Sequence, residues 1–162
     1  GRKYMNYCLE HIYATQEKDV YGIMMDVNCF KEINDTYGHA EGDRAIQEIG
    51  HILSGALVAN SVAIRMSGDE FMVLIRHGSE EIMDKTCAAI EQRVQRYNAA
   101  APAGSFQLSF STGVAKYEGG SVEKFLVELD ERMYAEKRAF TLPGTAMLHR
   151  SRGTLHQFQN NV

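Results

Sequence analysis

Apolar residues recur along this chain with two periods, and the alternation between them lays out the elements. Met5, Cys8, Leu9 and Ile12 fall at helical spacing and predict a helix from Arg2 to about Glu17. Tyr21-Gly22-Ile23-Met24-Met25-Asp26-Val27 is a nearly continuous apolar run that ends on a carboxylate, as a strand buried on both faces does. Ala45, Ile46, Ile49, Ile52, Leu53 and Ala56 form one helical stripe between Ala45 and Leu57, reached through a polar stretch from Asn34 to Asp43 that reads as a loop. Val62 to Met66 and Phe71 to Ile75 then flank Ser67-Gly68-Asp69-Glu70 as two strands flank a hairpin turn. Ser79, followed by Glu80 and Glu81, is an N-cap with first-turn acids, leading a helix that carries Met83, Cys87, Ile90, Val94 and Tyr97 on one side and closes between Ala99 and Gly104. Phe106, Leu108 and Phe110 alternate as a fourth strand. Val122, Phe125, Leu126, Leu129 and Met133 mark a last helix, and Thr145-Ala146-Met147-Leu148 is a short strand-like remainder.

From Tyr21 onward the order is strand, helix, strand, strand, helix, strand, the split βαβ or ferredoxin-like arrangement. The predicted class is α+β, with a central mixed antiparallel sheet flanked by helices. A right-handed crossover makes the first two strands parallel, so the hairpin leaving the second turns at the edge where the first one ends. Asp26 and Asp69 are therefore expected to be neighbours in space.

Composition narrows the function classes. At 162 residues the chain suits one domain with a sizeable core. Seventeen basic and twenty-one acidic residues give a net charge of -4 with no basic run, which argues against a polymeric nucleic-acid partner. Cys8, Cys29 and Cys87 form neither a disulfide framework nor a zinc spacing. No apolar stretch approaches the roughly 20 residues of a membrane span, so no membrane contact is expected of this chain and a cytoplasmic setting is.

Two carboxylates meeting at one sheet edge repel each other unless a cation or a proton intervenes. Hard oxygen ligands at strand ends, a lysine close in sequence at Lys31 and a turn rich in backbone donors suit a magnesium–triphosphate complex. Singly, each feature has an ordinary explanation: Gly-Asp is common in turns, Asp26 could accept a backbone hydrogen bond, Lys31 could be solvated, and His39 could fix its loop. Their placement on one side of one sheet favours nucleotide chemistry. The methionines at 24, 25, 72 and 83 are packing material, and no histidine is assigned a role.

The run Asp26 to Asp43, DVNCFKEINDTYGHAEGD, followed by RMSGDEF at Arg65 to Phe71, closely resembles the GGDEF family of diguanylate cyclases, and LDERMYAEK at Leu129 to Lys137 resembles that family's last helix. The likeness covers nearly the whole chain as a single GGDEF-like domain, 1-162, entered just after the family's N-terminal entry segment. It implies a nucleotide-cyclase-like fold and the condensation of two GTP to cyclic di-GMP and pyrophosphate by a homodimer using Mg2+ or Mn2+, with a sensory or regulatory domain ahead of residue 1. It further implies that Asp26, the Val27 carbonyl and Asp69 hold the cations, that Glu70 lies beside the attacking 3′-hydroxyl or the metal, that Asn34 and Asp43 read the guanine edge, and that the amides around Cys29 and Phe30, with Lys31 and Lys137, contact phosphates.

Four positions depart from the family pattern. Ser67 stands for the first glycine of the motif, Asn28 for an aspartate, and Thr141 for an arginine at a phosphate contact; Val58 and Ser61 occupy the ends of the RxxD product-binding motif. The intact carboxylates favour an enzyme. Ser67 and Thr141 favour the alternative of a catalytically silent module that binds GTP or a partner, and a purely structural dimerisation domain is the third reading.

Overall fold

The computed structural model describes residues 1–140, so Thr141 and the strand-like segment Thr145 to Leu148 lie outside the described residues. Helix α1 (Arg2–Thr15) precedes β1 (Tyr21–Val27); α2 (Phe30–Tyr37) and α3 (His39–Ala56) lead to β2 (Ser61–Ser67) and β3 (Glu70–Ile75); α4 (Glu80–Ala100), β4 (Phe110–Lys116) and α5 (Val122–Phe140) follow. The strands form one sheet in the order β2-β3-β1-β4, and each neighbouring pair is antiparallel. Both β1 and β2 run against β3 and so run the same way as each other, which brings the β2–β3 turn to the end of β1. This is the ferredoxin-like arrangement expected from the sequence.

The two-residue period of a strand sorts side chains into two cores. Odd-numbered Tyr21, Ile23, Met25 and Val27 join Phe71, Val73 and Ile75 under α3 and α4. Met24, Met72 and Leu74 face the other way with Ile64 and Met66, packing on Met5, Leu9 and Ile12 of α1 and on Phe125, Leu126, Leu129 and Met133 of α5. Helix α5 comes unusually close to the sheet at Gly113, where a Cβ would stand 2.1 Å from the Leu129 carbonyl oxygen and 2.4 Å from the Met133 nitrogen. Any larger residue there would lift the helix.

Two expectations change in detail, and a third holds. The polar stretch from Asn34 to Asp43 is helical, not a loop: buried Ile33 and half-buried Phe30 anchor α2 to the core, the exposed Tyr37 touches Phe106 edge-on, and most of the polar residues are its outer face. Only Gly38, with φ 92, breaks the helix before α3 begins. The fourth strand starts at Phe110 instead of Phe106, because the Asn98 side chain takes both the Leu108 N–H (2.8 Å) and the Leu108 carbonyl (2.8 Å) that a ladder would use. At α4, the expected cap is present: the Ile82 N–H donates to Ser79 Oγ at 3.1 Å. No helix among the described residues is long and apolar enough to cross a membrane.

Candidate functional site

At the end of β1, Asp26 lies opposite Glu70 on β3 and opposite Ser111 on β4, forming one rung across three strands. Its even number puts it on the α5 side, with Met24. The hairpin has a two-residue turn, Gly68-Asp69, and the Val27 N–H donates to the Asp69 carbonyl at 3.0 Å, which fastens the turn to the end of β1. Arg65 closes the turn from the other side, donating to the Gly68 carbonyl from Nε (3.0 Å) and Nη2 (2.7 Å). Asp26 is 0% exposed, Glu70 5% and Asp69 8%, so three carboxylates share a site largely screened from water.

One cation enters this group from far along the chain. Lys137, in the last turn of α5, places Nζ 3.1 Å from Asp26 Oδ2 and donates to the Val27 carbonyl at 3.2 Å. It can do so because Gly113 lets the Leu129–Met133 turn rest on β4, and Lys137 follows about one turn later on the same inward stripe. Burial, reinforced by the charge of Asp69, raises the Asp26 carboxyl to about 7 even though Lys137 pulls it down.

The structure adds a residue that sequence reasoning missed. Asp130 is 1% exposed on α5, and neither of its carboxylate oxygens has a hydrogen-bond partner among the described residues. Burial, then the charges of Glu70 and Asp26, raise it to about 7. The signal was available: Asp130 lies on the stripe of Leu126, Leu129, Met133 and Lys137, where a carboxylate is out of place.

The donor set suits a hard divalent ion. Asp26 Oδ1 is a buried oxygen with no hydrogen-bond partner among the described residues, and the Asp69 carboxylate and Val27 carbonyl belong to the same corner. No group of three or more His, Cys, Asp or Glu side chains among the described residues is arranged to hold an ion unaided. A site of two carboxylates and a carbonyl leaves coordination positions for water and phosphate, the manner in which Mg2+ is usually bound.

The remaining predicted residues lie around α2, joined to this group by Asn28 and Cys29. Cys29 has φ 58 and ψ 32 and caps α2, so the first N–H groups of that helix, from Phe30 on, have no partners within it. Such a terminus favours anions. Lys31 is well exposed and pairs with Asp35 at 3.2 Å, an interaction of little energetic weight that leaves its ammonium available. Asn34 is half-buried near the end of α2 and Asp43 is exposed in the first turns of α3, with Gly38 between the two helices.

Two of the departures acquire a physical account. Asn28, 3% exposed, donates from Nδ2 to Ser109 Oγ at 2.9 Å and accepts from Ser111 Oγ at 2.7 Å, so its carboxamide is occupied in joining β1 to β4. An aspartate would have no proton to give Ser109. Ser67 is not among the described residues with positive φ, so a glycine's backbone freedom is not called upon there, and its hydroxyl lies 3.4 Å from Glu70 Oε1 as a long hydrogen bond.

A family model described as "Diguanylate cyclase, GGDEF domain" matches residues 1–141. Diguanylate cyclase DosC of Escherichia coli K12 is 32% identical over 118 residues, covering 72% of this chain and 26% of its own length. "Probable diguanylate cyclase DgcI" of the same organism is 35% identical over 141 residues, covering 85% of this chain and 29% of its own. The chain thus spans little more than a quarter of either relative. Among solved structures, the GGDEF domain of DgcB from Caulobacter crescentus, crystallised with c-di-GMP, superposes with a TM-score of 0.76 at 23% identity, covering 85% of both chains, which supports the fold. With its sequence matched by the family model and its fold matched by that domain, the chain belongs to the GGDEF domain family of diguanylate cyclases.

Proposed function

We propose that this chain is a diguanylate cyclase domain that condenses two GTP into cyclic di-GMP, releasing two pyrophosphates, in a metal-dependent homodimer. The observation that carries the reading is the convergence of Asp26, Asp69 and the Val27 carbonyl in a buried corner beside the exposed N-terminus of α2. Names of relatives that share this sequence pattern support the same activity.

In this reading Asp26, Asp69 and the Val27 carbonyl hold Mg2+ or Mn2+. When bound, the ion neutralises triphosphate charge and makes the attacking hydroxyl more acidic. The α2 N-terminus at Cys29 and Phe30 and the Lys31 ammonium bind phosphate oxygens. Lys137, already turned to the Val27 carbonyl, lies where it can contact a phosphate held there. Asn34 and Asp43 bind the guanine edge; a carboxylate at 43 accepts from the N1 and N2 donors, which adenine lacks. Glu70, the neighbour of Asp69, lies beside the 3′-hydroxyl that attacks the α-phosphorus of the partner domain's GTP. Each domain holds one nucleotide, so orientation of two loaded domains supplies much of the rate. A single domain is expected to be slow, with a regulatory segment ahead of residue 1 controlling the pairing.

Fusion to a dimeric coiled coil, incubation with GTP and Mg2+ and separation of the products tests the proposal. Cyclic di-GMP formed by the fusion and lost in Asp69→Asn supports it. The Ser67–Glu70 contact favours a second reading, a silent nucleotide-binding module; binding of GTP without product in the enforced dimer selects that one.

A further inference from the structure

Gly42 is buried in α3, and nothing about its backbone calls for glycine. Its φ lies outside the left-handed region. Within a helix interior, glycine costs roughly 1 kcal/mol relative to alanine. What occupies the missing side chain's place is a neighbour from α2: a Cβ on residue 42 would stand 1.8 Å from Asn34 Oδ1, 2.9 Å from its Cγ and 3.5 Å from its Nδ2. The three nearest atoms all belong to one carboxamide. Of the other two glycines on α3, Gly50 has nothing within 4 Å of the same construction, and at Gly55 the space is taken by the guanidinium of Arg93, 2.2 Å away; only at Gly42 is the occupant a residue expected to read the base.

The backbone on both sides is fixed. Gly38 N–H donates to the Asn34 carbonyl at 2.9 Å, and Gly42 N–H donates to the Gly38 carbonyl at 3.1 Å, a chain of bonds at four-residue spacing that carries α2 into α3. A side chain at 42 therefore meets the free end of Asn34, which rotates, and not a backbone, which cannot. Asp43 follows Gly42 in the helix, about 100° round the axis.

We infer that Gly42 is a positioning residue for the guanine site: the space left by its absent side chain seats the Asn34 carboxamide beside Asp43, so that both meet one base edge. This rests on the reading that Asn34 and Asp43 bind guanine. Base preference in this chain is then set by a residue that does not touch the base.

The test uses the whole chain with Gly42→Ala, Asn34→Ala and the double variant. In 15N spectra without nucleotide, the Asn34 side-chain amide pair, assigned by its loss in Asn34→Ala, is expected to shift in Gly42→Ala, while backbone signals of the sheet stay in place. An unmoved amide pair overturns the inference. With Mg2+ and non-hydrolysable analogues of GTP and ATP, calorimetry should show Gly42→Ala weakening GTP about tenfold, the loss of one hydrogen-bonding group, with ATP unchanged. The double variant should bind like Asn34→Ala alone. A further loss of GTP affinity on adding Gly42→Ala to Asn34→Ala, or equal losses for GTP and ATP, also overturns it. A moved amide pair with GTP binding unaffected in both single variants keeps the steric relationship and rejects the guanine reading instead. Should Gly42→Ala unfold, a folded double variant identifies the Asn34 clash as the cause; an unfolded one overturns the inference.

Discussion

The ammonium of Lys137 and the carboxylate of Asp26 lie 3.1 Å apart, 110 residues of intervening chain notwithstanding, and both side chains are fully buried. The lysine bonds the same two oxygen-bearing residues, Asp26 and Val27, that are proposed to hold the cation. In the proposed reading, a protein cation and a metal cation would serve the same carboxylate.

Removing one member of a buried pair leaves the other without compensation, at a cost of about 3–5 kcal/mol. At pH 8, above the value of about 7 to which the Asp26 carboxyl is raised, Lys137→Met is expected to lower stability by that order in urea unfolding, and Mg2+ with a GTP analogue to restore part of it. An unchanged midpoint at pH 8 would mean that Asp26 stays neutral in the folded chain even there and the pair contributes nothing.

Stability should also respond to pH with an inverted sign for carboxylates. Asp26 and Asp130 are raised from 3.8 to about 7, so the folded chain retains protons that the unfolded chain has already lost. Where the native state binds more protons, stability falls as pH rises. Metal-free protein is expected to lose stability from about pH 4 through about pH 7 and to level off above. Asp130→Asn should flatten part of that decline and raise stability at pH 8. Urea titrations at pH 5.5 and pH 8 decide; a wild-type chain more stable at pH 8, with Asp130→Asn no different from it, contradicts the assignment.

Nucleotide binding is expected to need a divalent ion and Asp69. Calorimetry with a GTP analogue should give binding that chelation or Asp69→Asn weakens by at least about tenfold, since one charged ligand to the ion is lost. Equal binding with and without chelator would reduce the Asp26–Asp69 pair to a structural feature.

Ser67→Gly should matter little. No positive φ is relieved, and the hydrogen bond that disappears is long, at 3.4 Å. The expected change is a destabilisation of about 0.5–1 kcal/mol from glycine in a strand, with product formation by the coiled-coil dimer within about threefold of wild type, roughly 0.6 kcal/mol in barrier. Recovery of synthesis from a silent dimer on this single change would instead show that the hydroxyl holds Glu70 away from its task.

How much the sequence determined follows from the range of the interactions. Strands β1, β2 and β3, the Ser79 cap and the stripes of α1, α3, α4 and α5 rest on periods of two and of three to four residues, which a linear reading sees. Handedness of the crossover was enough to bring Asp26 to the hairpin at Asp69, because connection rules act on element order alone. The family motif named candidate residues. Tertiary structure decided the rest: that Asn98 withholds residues 106–109 from the sheet, that α2 reaches Tyr37, that α5 lies on Gly113 closely enough for Lys137 to reach Asp26, and that Asp130 is buried without a hydrogen-bond partner among the described residues. The Asn98 and Lys137 contacts depend on atoms from distant segments meeting in one space or one hydrogen bond, which no local period records; for Asp130 the stripe of α5 signals burial, and only the packing around it decides whether the carboxylate finds a partner.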